Sequence, residues 1–195
     1  SGMPVLAGLS FEVAAGQALI LRGPNGIGKT TLLRVLAGLQ DPVAGTIDFP
    51  RDEGAYASHA DGIKSALTVQ ENLAFWADVY RNPVPAKIWE QFDLASLRER
   101  FAGTLSAGQK RRVGLARLGV IGRKVLFLDE PTVSLDGFSV KLFSDFIRNV
   151  HLAAGGIAII ATHIDLGLDG AASLDLTPYA ADRHSAPPDS DEAFL

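Results

Sequence analysis

Residues 23–30 read Gly23-Pro24-Asn25-Gly26-Ile27-Gly28-Lys29-Thr30, and no other stretch limits the possible folds of this chain as strongly. The pattern G-x-x-x-x-G-K-[ST] wraps nucleotide phosphates when it joins a strand to a helix. Both flanks are present. Ala18-Leu19-Ile20-Leu21 is an apolar run of strand length, and Thr31-Leu32-Leu33-Arg34-Val35-Leu36-Ala37 reads as a helix. In that setting successive backbone N–H groups converge on phosphate oxygens, and the helix N-terminus adds partial positive charge. The motif makes Gly23, Pro24, Asn25, Gly26, Ile27, Gly28, Lys29, Thr30 and Thr31 candidate nucleotide contacts. Lys29 offers a point charge for the β- and γ-phosphates, and Thr30 a hydroxyl for Mg²⁺. Alone, the loop does not separate a kinase from a GTPase or a transporter motor.

The rest of the chain narrows the class. Its 195 residues, 47% of them hydrophobic, suit one domain with a substantial core. Strand-like and helix-like segments alternate, as in an α/β protein. A net charge of −4 offers no broad basic surface for nucleic acid or an anionic membrane. The absence of cysteine excludes disulfides, thiolate metal sites and a cysteine nucleophile. No run reaches the roughly 18 apolar residues of a membrane span. Arg117, Arg123 and Lys124 interrupt the longest candidate, residues 115–128. The start, Ser1-Gly2-Met3-Pro4, lacks the basic-then-apolar pattern of a secretory leader. Membrane association is therefore expected through a partner.

Strands are expected at residues 9–13, 18–22, 46–49, 55–58, 124–128 and 157–161. Helices are expected at 29–37, closed by Gly38, and at 69–80, 86–92, 106–119 and 137–153. Thr68 and Glu71 have capping-box spacing ahead of the second of these. Phe75, Trp76, Tyr80, Trp89 and Phe92 concentrate in the middle region. They suit either a small helical core or a docking surface for another protein. From residue 179 onward the chain turns polar and proline-containing, a loose tail ending in Phe194-Leu195.

Val125-Leu126-Phe127-Leu128-Asp129 is a hydrophobic strand ending in an acid, which in phosphate-loop proteins holds the Mg²⁺ shell. Glu130 follows at once, and a second carboxylate there can deprotonate a water aimed at the γ-phosphate. Upstream, Leu105-Ser106-Ala107-Gly108-Gln109 opens the helix leading into that strand and offers a second anion site. Ser134-Leu135-Asp136 follows Pro131-Thr132, and Thr162-His163 follows the apolar run 157–161. A histidine at such a strand end can hydrogen-bond a γ-phosphate.

With these five motifs in order, the chain resembles the nucleotide-binding subunits of ABC transporters over nearly all of residues 5–178. The resemblance implies an ABC-type P-loop ATPase domain over residues 1–178, with a small helical subdomain at about 66–120, an antiparallel β portion and a flexible tail at 179–195. It further implies a head-to-tail homodimer enclosing two ATP molecules. Lys29, Thr30 and Asp129 of one copy would face Ser106, Gly108 and Gln109 of the other. Thr30 and Asp129 would hold Mg²⁺, Glu130 would be the catalytic base, and His163 would hold the γ-phosphate. Asp136 would sense the opposite site.

Two departures from the family stand out. Its adenine-stacking aromatic lies upstream, near the first strand, and none is assigned here: either the N-terminus is incomplete or stacking comes from elsewhere. Where the family has a glutamine linking the Mg²⁺ site to the transporter, this chain has His59. Imidazole is a poor Mg²⁺ ligand, so His59 either packs there or couples through a water. His59 with Gly62-Ile63-Lys64, then Leu67-Thr68-Val69-Gln70-Glu71-Asn72-Leu73, is similar to ATP-binding subunits of bacterial cytochrome c maturation (haem export) transporters. That resemblance implies integral membrane partners, a peripheral place on the cytoplasmic face of the inner membrane, and ATP hydrolysis driving release of a haem-loaded chaperone. The chain itself has no Cys-x-x-Cys-His motif and no histidine cluster for haem. A motor for another cargo and a soluble ABC ATPase remain the alternatives.

Overall fold

A computed structural model describes residues 4–58, 60–133 and 135–181. Five strands form one sheet: β1 (Ala18–Arg22), β2 (Gly54–Ala57), β3 (Val125–Asp129), β4 (Ile157–Ala161) and β5 (Ala172–Asp175), in the order β2-β3-β4-β1-β5. Every neighbouring pair is parallel. The apolar runs of β1, β3 and β4 explain this, because a parallel sheet is covered on both faces. Alternate side chains divide between two cores. Ala18, Ile20, Leu126, Leu128, Ala158 and Ile160 join one; Leu19, Leu21, Val125, Phe127, Ile159 and Ala161 join the other.

Helices supply the two covering layers. α1 (Lys29–Leu36) places Leu33 in the second core. α2 (Val69–Tyr80), α4 (Ala107–Ile121) and α5 (Gly137–Phe146) bury Leu73, Val113, Leu115 and Phe143 in the first, joined by Ile88 of the short α3 (Ile88–Gln91). α2 starts where its cap dictates. Thr68 Oγ1 accepts from the Glu71 N–H at 3.1 Å, and Glu71 Oε2 accepts from the Thr68 N–H at 2.7 Å.

The expected antiparallel β portion is corrected: among the described residues the sheet is wholly parallel, and antiparallel pairing is confined to the isolated bridges Leu6–Ala180 and Thr68–Phe101. Segments 9–13 and 46–49 are not strands. Leu9, Phe11, Val13 and Phe49 do pack against the second core. Their alternation records a half-buried face, which is necessary for a strand but does not supply a hydrogen-bonding neighbour. The helix expected at 86–92 shrinks to α3, hemmed by a turn on Pro85 and by the left-handed Asp93, φ 51°. The helix expected at 137–153 is α-helical only to Phe146 and continues as a π-helical stretch, Ile147–Leu152.

Register sets up the site. Leu21 pairs with Ala161, and Ala161 with Asp129. The phosphate loop, Glu130 and His163 therefore all leave the sheet along its carboxyl edge, where open parallel sheets bind ligands.

Candidate nucleotide site at the carboxyl edge of the sheet

Gly28 caps the N-terminus of α1 with φ 118°, and a Cβ there would stand 2.8 Å from Val5 Cγ1. That backbone conformation strains any side-chain-bearing residue, and a Cβ would require Val5 to shift. Lys29 is 8% exposed, and its Nζ donates to the carbonyls of Gly23 at 2.7 Å and Pro24 at 3.2 Å. A buried ammonium needs such acceptors. Phosphate oxygens within the loop could take their place.

Two adjoining cavities, about 430 and 480 Å³, share Thr30, Asp129 and Glu130 in their walls. The smaller is also lined by Asn25, Gly26, Gly28, Lys29 and Thr31. The larger extends to Arg34, Tyr56 and Ser58. Asp129 is 9% exposed, and the Tyr56 hydroxyl donates to its Oδ2 at 3.1 Å. Burial first, and then the Asp129 carboxylate, push the Tyr56 hydroxyl up to about 12, so it remains a donor across the ordinary pH range. A hydroxyl and a carboxylate on one cavity wall suit Mg²⁺, which takes one or two protein oxygens and completes its shell with phosphates and water. Among the described residues no three His, Cys, Asp or Glu side chains gather as a metal cage.

Glu130 adopts φ 48°, and its N–H donates to the Ala161 carbonyl at 2.9 Å. A non-glycine residue in this region costs about 1–2 kcal/mol. Glu130 Oε1 lies 3.5 Å from His163 Nε2, which is also 3.1 Å from Asn25 Oδ1. His163 thus bridges the phosphate loop and the carboxylate that follows β3.

The second motif group lies elsewhere. Ser106 caps α4: its Oγ accepts from the Gln109 N–H at 3.2 Å, and Gln109 Oε1 accepts from the Ser106 N–H at 3.0 Å. Asp136 caps α5 by accepting from the Ser139 N–H at 2.8 Å. Hydrogen bonds from Ser139, side chain before backbone, hold the Asp136 carboxyl below the usual carboxylate range. Ser106, Gly108, Gln109 and Asp136 do not line either cavity. His59 and Ser134 fall outside the described residues.

Sequence reasoning passed over Tyr56, Arg34 and Arg111. Tyr56 carried no signal in the sequence: it opposes Phe127 in the strand beside β3, and only that register brings its hydroxyl to the strand's end. Phe92 and Trp89 are buried, as a helical core requires, whereas Phe75 is 39% and Val79 55% exposed.

A phosphate loop at the carboxyl edge of a parallel sheet, facing an acid pair two strands away, defines a P-loop nucleotide-binding protein. The ABC transporter family profile matches residues 6–133, and the chain belongs to that family; it is an ABC-type ATPase. It is 58% identical over 193 residues to the cytochrome c biogenesis ATP-binding export protein CcmA of Cereibacter sphaeroides, covering 99% of this chain and 91% of that protein. It is 59% identical over 196 residues to the protein of the same name from Ruegeria pomeroyi, covering 100% and 94%. A Pyrococcus furiosus ABC transporter ATP-binding protein shares the fold with TM-score 0.79 at 22% identity, covering 93% of this chain and 94% of that one.

Proposed function

We propose that this chain is the ATP-hydrolysing subunit of a membrane ABC complex serving haem export and c-type cytochrome biogenesis, with two copies enclosing ATP and Mg²⁺ between them. The observation that carries the hydrolytic part is the convergence of Lys29, Thr30, Asp129 and Glu130 on one cavity, with His163 between Glu130 and the loop. Near-full-length identity of 58% and 59% to proteins named for cytochrome c biogenesis supports the cellular role.

In this reading the loop amides and Lys29 neutralise the phosphates, and Thr30 and Asp129 would hold Mg²⁺. The bound cation would offset charge on the β- and γ-phosphate oxygens. Glu130 takes a proton from water as the water oxygen bonds to the γ-phosphorus. The bond from that phosphorus to the bridging oxygen breaks, and ADP leaves with the electron pair. His163 keeps Glu130 and the γ-phosphate in register. The exposed N-terminus of α4, with Ser106, Gly108 and Gln109, presents its donors to the nucleotide of a second copy, and Asp136 reports on that neighbour. His59 couples the site to membrane subunits. Among the described residues no helix is long and apolar enough to cross a membrane. Attachment to the cytoplasmic face of the inner membrane through those partners accords with this.

The test is complementation of a strain lacking the gene. Wild-type chain should restore covalent haem attachment to c-type cytochromes, whereas Lys29→Ala should not. Undiminished haem attachment in the deletion strain would overturn the cellular role.

A further inference from the structure

α4 carries an arginine where its helical stripe calls for an apolar side chain. Arg111 precedes Leu115 and Leu118 on the buried face at helical spacing, and is itself 6% exposed. Burying a guanidinium is costly unless its donors find acceptors. Here they find them on two separate pieces of chain. Nε and Nη2 both donate to the Pro131 carbonyl, at 3.0 and 2.7 Å, and Nη2 reaches the Glu130 carbonyl at 3.4 Å. Nη1 donates to the Ser58 carbonyl at 2.9 Å and to Asp61 Oδ1 at 3.1 Å.

Beyond Ser58, which adjoins β2, the segment on the far side of that fork is fastened to helices at Asp61, Gly62 and Lys64. Asp61 lies so close to α4 that a Cβ on Gly114 would stand 2.9 Å from its Cα. Trp76 Nε1 donates to the Gly62 carbonyl at 3.0 Å, and Asn72 of α2 exchanges hydrogen bonds with the Lys64 backbone at 2.7 and 3.0 Å. Movement of residues 60–64 with the helical layer would therefore pull on Arg111. At its other end Arg111 grips the carbonyls of the turn that holds Glu130 in its left-handed conformation.

We infer that Arg111 is a positioning residue that fixes the Glu130–Pro131 turn and transmits displacement of residues 60–64 to it. This rests on Glu130 being the hydrolytic base. A planar fork is what the arrangement uses. Lysine keeps the charge but is a point donor and cannot span the Ser58, Glu130 and Pro131 carbonyls and Asp61 at once.

The experiment compares wild-type chain with Arg111→Lys, Asp61→Asn and Glu130→Gln, and places each of the first two in the Glu130→Gln background. Steady-state kcat and KM for ATP, single-turnover hydrolysis and melting curves are recorded. Arg111→Lys should lower kcat about ten- to hundredfold with KM for ATP within about twofold, because a displaced catalytic group loses rate rather than binding. In the Glu130→Gln background the same substitution should cost less than about twofold, since the group it positions is gone. Asp61→Asn should lower kcat about threefold, again only when Glu130 is present. An equal loss in both backgrounds, or a rise in KM with kcat unchanged, would overturn the inference. Wild-type turnover in Glu130→Gln alone would overturn the Glu130 assignment and this inference with it, and the single variant identifies that outcome. Should Arg111→Lys fail to melt cooperatively, Asp61→Asn decides: a loss that vanishes without Glu130 supports the inference, and one that persists overturns it.

Discussion

Glu130 combines a left-handed backbone, an amide tied to Ala161 and a carboxylate facing His163, so its place at the cavity wall is set on three sides. Glu130→Gln keeps the shape and removes the basicity. Turnover is expected to fall about 10²- to 10⁴-fold while ATP binding survives, measured by phosphate release beside nucleotide titration. Lys29→Ala should instead weaken ATP binding itself, because it removes the buried charge inside the loop. A third residue answers to pH. Burial holds His151 below the ordinary imidazole value, against a smaller opposing effect of its hydrogen bond to the Ile157 carbonyl. The unfolded chain therefore binds the proton more readily. His151 contributes stability that is present above about pH 6.5 and is lost as pH falls from there toward its depressed folded value. His151→Gln should flatten that acid limb in denaturant melts between pH 7 and pH 5. Most of these residues were legible in the sequence because each sits at a motif position with a fixed neighbour. Tyr56 and Arg111 were not, since their roles depend on which carbonyl or carboxylate the fold brings to their tips.

Elements were legible where local chemistry and burial agreed. β4 occupies the residues its apolar run marks, and α2 starts at the residue its capping box marks. They were illegible where pairing decides. Segment 9–13 shows strand alternation without a ladder partner. β5, with only Leu174 partly buried along Ala172–Asp175, shows too little alternation to betray an edge strand. The cap of α2 is reinforced from inside by Asn72, 2% exposed, whose amide group bonds the backbone of Lys64, Leu67 and Thr68. Asn72→Ala would strand those groups in the interior. A loss of about 2–3 kcal/mol, or roughly 5–10 °C in Tm, is expected in thermal melts, with Lys64 and its neighbours losing amide-exchange protection first.

At the scale of the whole molecule, one chain carries two motif groups that do not meet. The phosphate loop faces the cavity with Asp129 and Glu130, while Ser106 and Gly108 begin α4 outside that cavity. Under the proposed sandwich this is the expected layout, because each α4 N-terminus closes the partner's nucleotide. The most direct measurement mixes two inactive chains, Lys29→Ala and Ser106→Arg, and follows ATP hydrolysis with the heterodimer fraction known. A mixed pair contains one site with both defects and one with neither. Activity should therefore return to about a quarter of the wild-type value in a random equimolar mixture, where half the dimers are mixed and each has one working site. No recovery, with heterodimers demonstrably formed, would contradict a nucleotide site shared between two copies.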